Sequence, residues 1–215
     1  ISFKECGATS FTGYSATECE GKVLAIAANG EKVDFIGIDT DAIIILDKSA
    51  FYAESGGQVG DTGVITVNGS TFTVTNTTKT AEGNILHHGT LTDGDAINVG
   101  DVVICEVNKA RRQAIMRNHT AAHLLQAALR EALGTHVEQA GQLVNENAVR
   151  FDFSHFSALT AEEIIKIENR VNEIILSGAP VVTEEMNIDD AKKKGAMALF
   201  GEKYGDTVRV VSAGD

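Results

Sequence analysis

His119 and His123 lie four residues apart in the stretch RNHTAAHLL, residues 117–125. On a helix, side chains at that spacing stand one above the other, within ~6 Å at Cβ. Two imidazoles so placed are a common zinc geometry, but zinc usually takes three or four ligands from the protein. Taken alone, such a pair more often marks two interfacial histidines that only hydrogen-bond. One chemistry is excluded. Zinc peptidases carry a Glu general base directly after the first His. Here that position is Thr120, and Ala121 and Ala122 fill the rest of the interval.

The other candidates are weaker. ESGGQVGDTG, residues 54–63, is rich in glycine. It lacks the Gly-Lys-Ser/Thr of a phosphate loop and the G-x-G-x-x-G spacing of a dinucleotide turn. On physical grounds it reads as tight turns and close backbone approach between strands. His87 and His88 fall at a strand-like position with no matching cysteine, and His136 and His155 stand alone. Lys109, Arg111, Arg112 and Arg117 cluster at the start of the histidine helix, where they suit either an RNA backbone or a solvated helix end. Lys192 to Lys194 form a second short basic run with the same two readings.

The elements that position these residues fall into two halves. Up to residue 108 the sequence reads as β. VITVNGSTFTV, residues 64–74, is two alternating runs around Asn68-Gly69, a strong hairpin signal because both central residues need positive φ. AIIILD and DVVICEV are further strands, and Asn29-Gly30 and Asp93-Gly94 are turns. Many short strands with glycine-rich turns predict a small barrel or sandwich. From Lys109 to Leu133 one helix is predicted. Ile115, Ala122, Leu125, Leu129 and Leu133 share a face, the histidines sit at its edge, and Gly134 follows as a helix stop. Residues 136–153 look extended. Thr160 and Glu163 have capping-box spacing at the start of a second helix, whose stripe is Ile164, Ile167, Val171, Ile174 and Ile175. Gly178 and Pro180 end it. PVVTEEM is read as a strand, DDAKKK as a helical turn, and TVRVVS as a last strand. The predicted fold class is α+β, with a barrel-like β subdomain over 1–108 and an α+β core over 109–215 whose helices pack on a sheet.

Bulk properties narrow the function classes. At 215 residues the chain fits one large domain or two modest ones, and with 43% hydrophobic and 22% charged residues it can bury a true core. The net charge of −12 argues against indiscriminate binding to phosphate backbones, which relies on Lys and Arg releasing counterions. Contact with nucleic acid would therefore be local. No apolar run is long enough to span a bilayer, and no secretory leader is read at the start. Cys6, Cys19 and Cys105 are odd in number and form no C-x-x-C, which fits a reduced, cytoplasmic setting. The first residue is Ile1, so the sequence is read as part of something longer.

Four ordered stretches, FYAESGGQVGDTG, RNHTAAHLLQAALREALGTHVEQAGQLV, RFDFSH and KKKGAMALFGEKYGDTVRVVSAGD, resemble the editing region of bacterial alanyl-tRNA synthetases. FTGY, residues 11–14, matches the place where that region starts. The resemblance covers nearly the whole chain and implies a task. A pocket for alanine cannot reject glycine, which is smaller, and serine, which adds only a hydroxyl, by a sufficient margin. A second site therefore hydrolyses the mischarged ester on tRNA(Ala). In this family that site carries Zn2+ on H-x-x-x-H and on a later Cys-x-x-x-His. His119 and His123 match the first pair. The second pair is expected shortly after Gly214-Asp215, where this sequence stops, so zinc binding and deacylation by this chain alone are expected to be weak.

The resemblance also carries over other residues. Gln139 matches a glutamine lining the editing pocket, and its amide could orient the ester or the serine hydroxyl. Ala122 stands where many relatives have Thr, and Gln142 where many have Ser, so pocket polarity should differ here. Gly56, Gly57 and Gln58 match a motif facing the editing core. Arg150 and FGEKYG, residues 200–205, match without an assignable chemistry. The implied partners are the Ser- or Gly-bearing acceptor end of tRNA(Ala) and the remaining synthetase domains, with no membrane. Three alternatives stay open: a stand-alone deacylase acting in trans, the related threonyl-type editing domain, and a non-catalytic RNA- or metal-binding module. The β-rich half before the helix favours the alanyl type over the threonyl type.

Overall fold

Asn29-Gly30 and Asn68-Gly69 turn the chain as their composition requires. All four residues have positive φ, between 49° and 81°, the conformation that matches a tight turn to the twist of paired strands. A computed structural model describes residues 1–197 and 204–213. The chain divides into two compact units, residues 1–115 and 116–215. The first turns of the long helix thus belong with the β unit.

In the first unit a 3₁₀ turn at Lys4–Cys6 precedes eleven strands. They are β1 (Ser10–Phe11), β2 (Glu18–Ala28), β3 (Glu31–Val33), β4 (Phe35–Gly37), β5 (Asp41–Leu46), β6 (Lys48–Ser49), β7 (Gly63–Val67), β8 (Ser70–Lys79), β9 (Ile85–Asp93), β10 (Ala96–Asn98) and β11 (Val102–Val107). Six of them run in the order β11-β7-β8-β9-β5-β2, and β2 pairs back onto β11, closing a barrel with every neighbour antiparallel. Closure removes the open strand edges that would otherwise template pairing with other chains. Alternation does the rest. Along β11 the residues Val103, Cys105 and Val107 are buried while their neighbours are exposed. The interior is filled by Ile26, Ile44, Leu46, Phe51, Ile65 and Phe72 among others, each essentially without exposure. Burying side chains of this size contributes roughly 1.5–3 kcal/mol each. β2 is the longest strand, and no sequence signal predicted it. Its opening residues, Glu18-Cys19-Glu20-Gly21-Lys22, are poor strand formers, and pairing on two sides overrides their preference.

The predicted long helix forms as α1 (Lys109–Leu133), capped at its start by Asn108, whose Oδ1 accepts from the Arg111 N–H at 3.0 Å. Gly134, with φ 120°, ends it. The second unit continues with β12 (Gln139–Val144), β13 (Val149–Phe153), α2 (Ala161–Leu176), β14 (Val181–Asn187), α3 (Ile188–Lys193) and β15 (Thr207–Ala213). β12 and β13 form one antiparallel hairpin, β14 and β15 another. The capping box at α2 is present in full. Thr160 Oγ1 accepts from the Glu163 N–H, and the Glu163 carboxylate accepts from the Thr160 N–H. The core of this unit joins Ala128 and Leu129 of α1 to Ile167 of α2, with Val137, Phe151 and Phe153 packed against them. The α+β class with helices packed on strands is thus what the chain adopts. The α2 stripe is covered only in part: Ile167 is buried, while Ile164 and Ile175 are 42% and 51% exposed. No helix among the described residues is long and apolar enough to cross a membrane.

Candidate functional site

α1 carries His119 and His123 one turn apart, with their rings nearly parallel, 10° between planes and 5.2 Å between centroids. Burial makes an imidazolium costly there. It lowers the pKa of both rings, and with the nearby His123 it takes His119 down to about 4. Near pH 7 both imidazoles are neutral, the form that ligates a metal. Ala122, between them, is 2% exposed and brings no hydroxyl to this wall.

Two hydrogen bonds lay the β12–β13 hairpin along this helix. Asn118 Nδ2 donates to the Asn145 carbonyl at 2.7 Å, beyond the end of β12. Arg130 Nη1 donates to the Val137 carbonyl at 2.6 Å, ahead of its start. Asn145 itself shapes the hairpin loop, its Oδ1 accepting from the Asn147 and Ala148 N–H groups. Neither Asn118 nor Arg130 was singled out from sequence. The available signal was an Asn in mid-helix, a poor helix former that there needs another use for its side chain.

Gln139 opens β12, on the strand held between these two fasteners. Its amide nitrogen and oxygen are both buried, and neither has a hydrogen-bond partner among the described residues. Leaving such a group unpaired costs about 1–3 kcal/mol, so native structures rarely keep one without a reason. Gln142, half-buried, lies opposite Phe151. Arg150 is exposed on β13 and pairs with Asp152 at 3.2 Å.

The remaining predicted residues fall in the first unit or at its edge. Gly56 and Gly57 form the tip of a two-residue turn, both with positive φ, and Ser55 and Gln58 exchange backbone hydrogen bonds across it. Gln58 is 7% exposed. Downstream, a Cβ on Gly60 would lie 2.2 Å from the Thr77 carbonyl oxygen, and one on Gly63 would lie 2.1 Å from that of Glu106. The glycine run therefore does allow close backbone approach.

The basic cluster splits. Lys109 and Arg117 are exposed, and Arg111 donates to the Gly60 carbonyl at 2.9 Å. Arg112 was expected beside them as an RNA contact, and the structure gives it a different use. Its guanidinium is buried, forks onto the Asp61 carboxylate, and donates to the Gly13 and Ala50 carbonyls at 2.8 Å each. Asp61 Oδ2 also accepts from the Tyr52 N–H at 2.7 Å. This pair bolts the first turn of α1 to the β unit. His87 is likewise structural, held between Ser49 Oγ at 2.7 Å and the Ile44 carbonyl at 2.8 Å. His136 and His155 contact each other at 2.8 Å. Of FGEKYG, residues 200–203 lie outside the described residues.

As candidate metal ligands, the described residues bring together two imidazoles, stacked one turn apart. No group of three or more His, Cys, Asp and Glu side chains placed for a metal occurs among the described residues. Two imidazoles are fewer than the three or four ligands that zinc usually takes from a protein.

Comparison with known proteins adds lineage to this geometry. Residues 3–111 match the family model for class II tRNA synthetases (A). The chain is 51% identical over 207 residues to an alanine–tRNA ligase of Pseudomonas fluorescens, an alignment covering 96% of the chain and 24% of that protein. It is 50% identical over 207 residues to the enzyme of Nitrosomonas europaea, with the same coverage. It is 48% identical over 211 residues to that of Rhodopseudomonas palustris, covering 98% of the chain and 24% of the relative. The chain therefore spans about a quarter of the length of these relatives.

Proposed function

Because the chain belongs to the class II tRNA synthetase (A) family, we propose that it is the proofreading region of an alanine–tRNA ligase, which hydrolyses the ester of tRNA(Ala) mischarged with serine or glycine. The observation that carries this reading is the buried, partnerless amide of Gln139 on the strand fastened to the helix of His119 and His123. A polar group kept unpaired inside a protein is explained by a ligand that pairs it. The serine hydroxyl, which both donates and accepts, suits an amide doing the same.

The reaction needs little from the protein beyond placement. A water oxygen bonds to the ester carbonyl carbon, and the ribose oxygen of the tRNA leaves with a proton. Gln139 orients the aminoacyl group, and the apolar wall around Ala122 limits competing water. His119 and His123, neutral at pH 7, would hold a zinc ion together with ligands outside the described residues. When bound, that ion supplies Lewis acidity toward the substrate amino group or the attacking water. Among the described residues no side chain is placed as a nucleophile, and no covalent intermediate is invoked. Lys109 and Arg117, exposed on α1, would meet the backbone of the acceptor end. The other domains of the synthetase would be partners in the same polypeptide.

The test is single-turnover deacylation of seryl-tRNA(Ala) by a longer chain that includes the residues following this one in its relatives. Replacing both histidines by alanine should lower the rate by about two orders of magnitude and abolish zinc retention. An unchanged rate removes the metal role. No hydrolysis by the unmutated longer chain removes the proofreading reading and leaves an RNA- or metal-binding module.

A further inference from the structure

Cys19 and Cys105 face each other across the seam that closes the barrel. They are register partners on β2 and β11, and their sulfurs are 2.8 Å apart with both thiols free. In the same register the Val23 N–H donates to the Asp101 carbonyl and the Val107 N–H to the Thr17 carbonyl. The cysteines therefore occupy a hydrogen-bonded position of the ladder. Facing Cα atoms there are ~5.5 Å apart, inside the range that a disulfide spans. We propose that Cys19 and Cys105 are a redox modification site, which a peroxide converts to a cross-strand disulfide locking the barrel seam.

The two thiols are unequal, which assigns their roles. Cys105 is fully buried, and burial with the hydrogen bond to Cys19 pushes its pKa up to about 12. It is a poor first nucleophile. Cys19 is only half-buried and meets the oxidant. Its thiolate attacks one peroxide oxygen, an S–O bond forms, the O–O bond breaks, and the departing hydroxide takes up a proton. Cys105 then bonds to the Cys19 sulfur and expels the sulfenic oxygen as water, its own proton leaving with that oxygen. Two thiols and one hydrogen peroxide thus give one disulfide and two waters. The site is independent of the proofreading reading, because it lies within the barrel and uses none of the residues assigned to hydrolysis.

Cys6 is the built-in control, a third thiol away from the seam pair. The full chain is treated with hydrogen peroxide, quenched with an alkylating agent and digested without reduction. The expected result is a loss of about two mass units, a peptide linking Cys19 to Cys105, reversal by dithiothreitol, and the same outcome in Cys6→Ser. The oxidised chain should also melt several degrees higher than the reduced chain, since the bond closes a loop of 86 residues. Cys19→Ser, altered only at the half-buried partner, should give no cross-link and leave Cys105 unmodified. Mass gains of oxygen without a cross-link, a linkage through Cys6, or a melting temperature unchanged by the bond would each overturn the proposal.

Discussion

His87 in the barrel and Gln139 in the second unit are both polar side chains withdrawn from water, and they are treated oppositely. His87 has each ring nitrogen matched, to Ser49 Oγ and to the Ile44 carbonyl. Gln139 has neither amide atom matched among the described residues. The same contrast runs through the two units. The barrel uses its buried charge, Arg112 on Asp61, as internal bracing, and the apolar side chains of its interior are enclosed, while Phe35, Ile38 and Val102 stand exposed outside it. The second unit shows Ile164, Ile165, Ile175 and Leu176 at its surface. A unit whose buried polar groups are satisfied internally acts as a scaffold. One that leaves a buried amide open holds a polar group that its own described residues do not satisfy.

The largest way to break this contrast is at Arg112. Arg112→Ala leaves the Asp61 carboxylate buried without its counter-charge and should cost about 3–5 kcal/mol of barrel stability, measured by urea unfolding. Replacing Asp61 and Arg112 together by Leu and Met should recover a large part of that loss. A cost below ~1 kcal/mol for the single change would mean that the barrel's buried charges are not bracing.

Acid tests the same point through His87. Burial lowers its pKa from 6.5 to about 4. Below pH 6.5 the unfolded chain takes up a proton that the folded chain refuses until about pH 4. Stability present above pH 6.5 is therefore lost as pH falls through that window, by on the order of 3 kcal/mol. His119 and His123 shift in the same direction, so the His87 share is the difference in pH slope between the chain and His87→Gln. Equal slopes would place His87 outside the bracing.

Thr160 and Gln139 then separate two kinds of polar group within the second unit. Thr160→Ala removes a cap that has its partners and should cost about 1 kcal/mol in thermal or urea unfolding. Gln139→Leu removes an amide that has none, and should change stability by less than ~1 kcal/mol, in the stabilising direction. The longer chain carrying Gln139→Leu should lose discrimination for seryl-tRNA(Ala) in the deacylation assay. A destabilisation matching that of Thr160→Ala would show Gln139 to be structural after all.

What was legible in the sequence was local. Alanines and leucines at helical spacing between Asn108 and Gly134 bound α1, Thr160 and Glu163 announce α2, and Asn68-Gly69 fixes a hairpin, because each depends on residues a few positions apart. What was not legible was pairing at a distance. Nothing near Arg112 says that its charge meets Asp61, 51 residues away, and so the exposed-patch reading included it. β2 went unseen because its strand character comes from two neighbours rather than from its own residues. The α2 stripe named the face that seeks cover, but an amphipathic pattern does not say how much cover the same unit provides. Gln139 and its setting were suggested by resemblance alone. Its partnerless burial arises only when the chain folds, because it depends on residues far away in sequence.

The barrel seam has a consequence for the order in which the chain is made. Within the unit, β2 precedes most other strands in the chain, and β11, its partner across the seam, is the last strand of the unit. Until the residues of β11 emerge, residues 18–22 of β2 wait with one edge unpaired, while β3 already covers residues 26–28, and the pairing that finally covers them is about as non-local as this unit allows. Such late, long-range pairing slows folding and exposes strand edges to association. Asn108, immediately after β11, then caps α1, so closing the barrel and starting the histidine helix are consecutive events in synthesis. A nascent chain halted before Val102 should be captured by chaperones, and one halted well beyond Leu133 should be released from them.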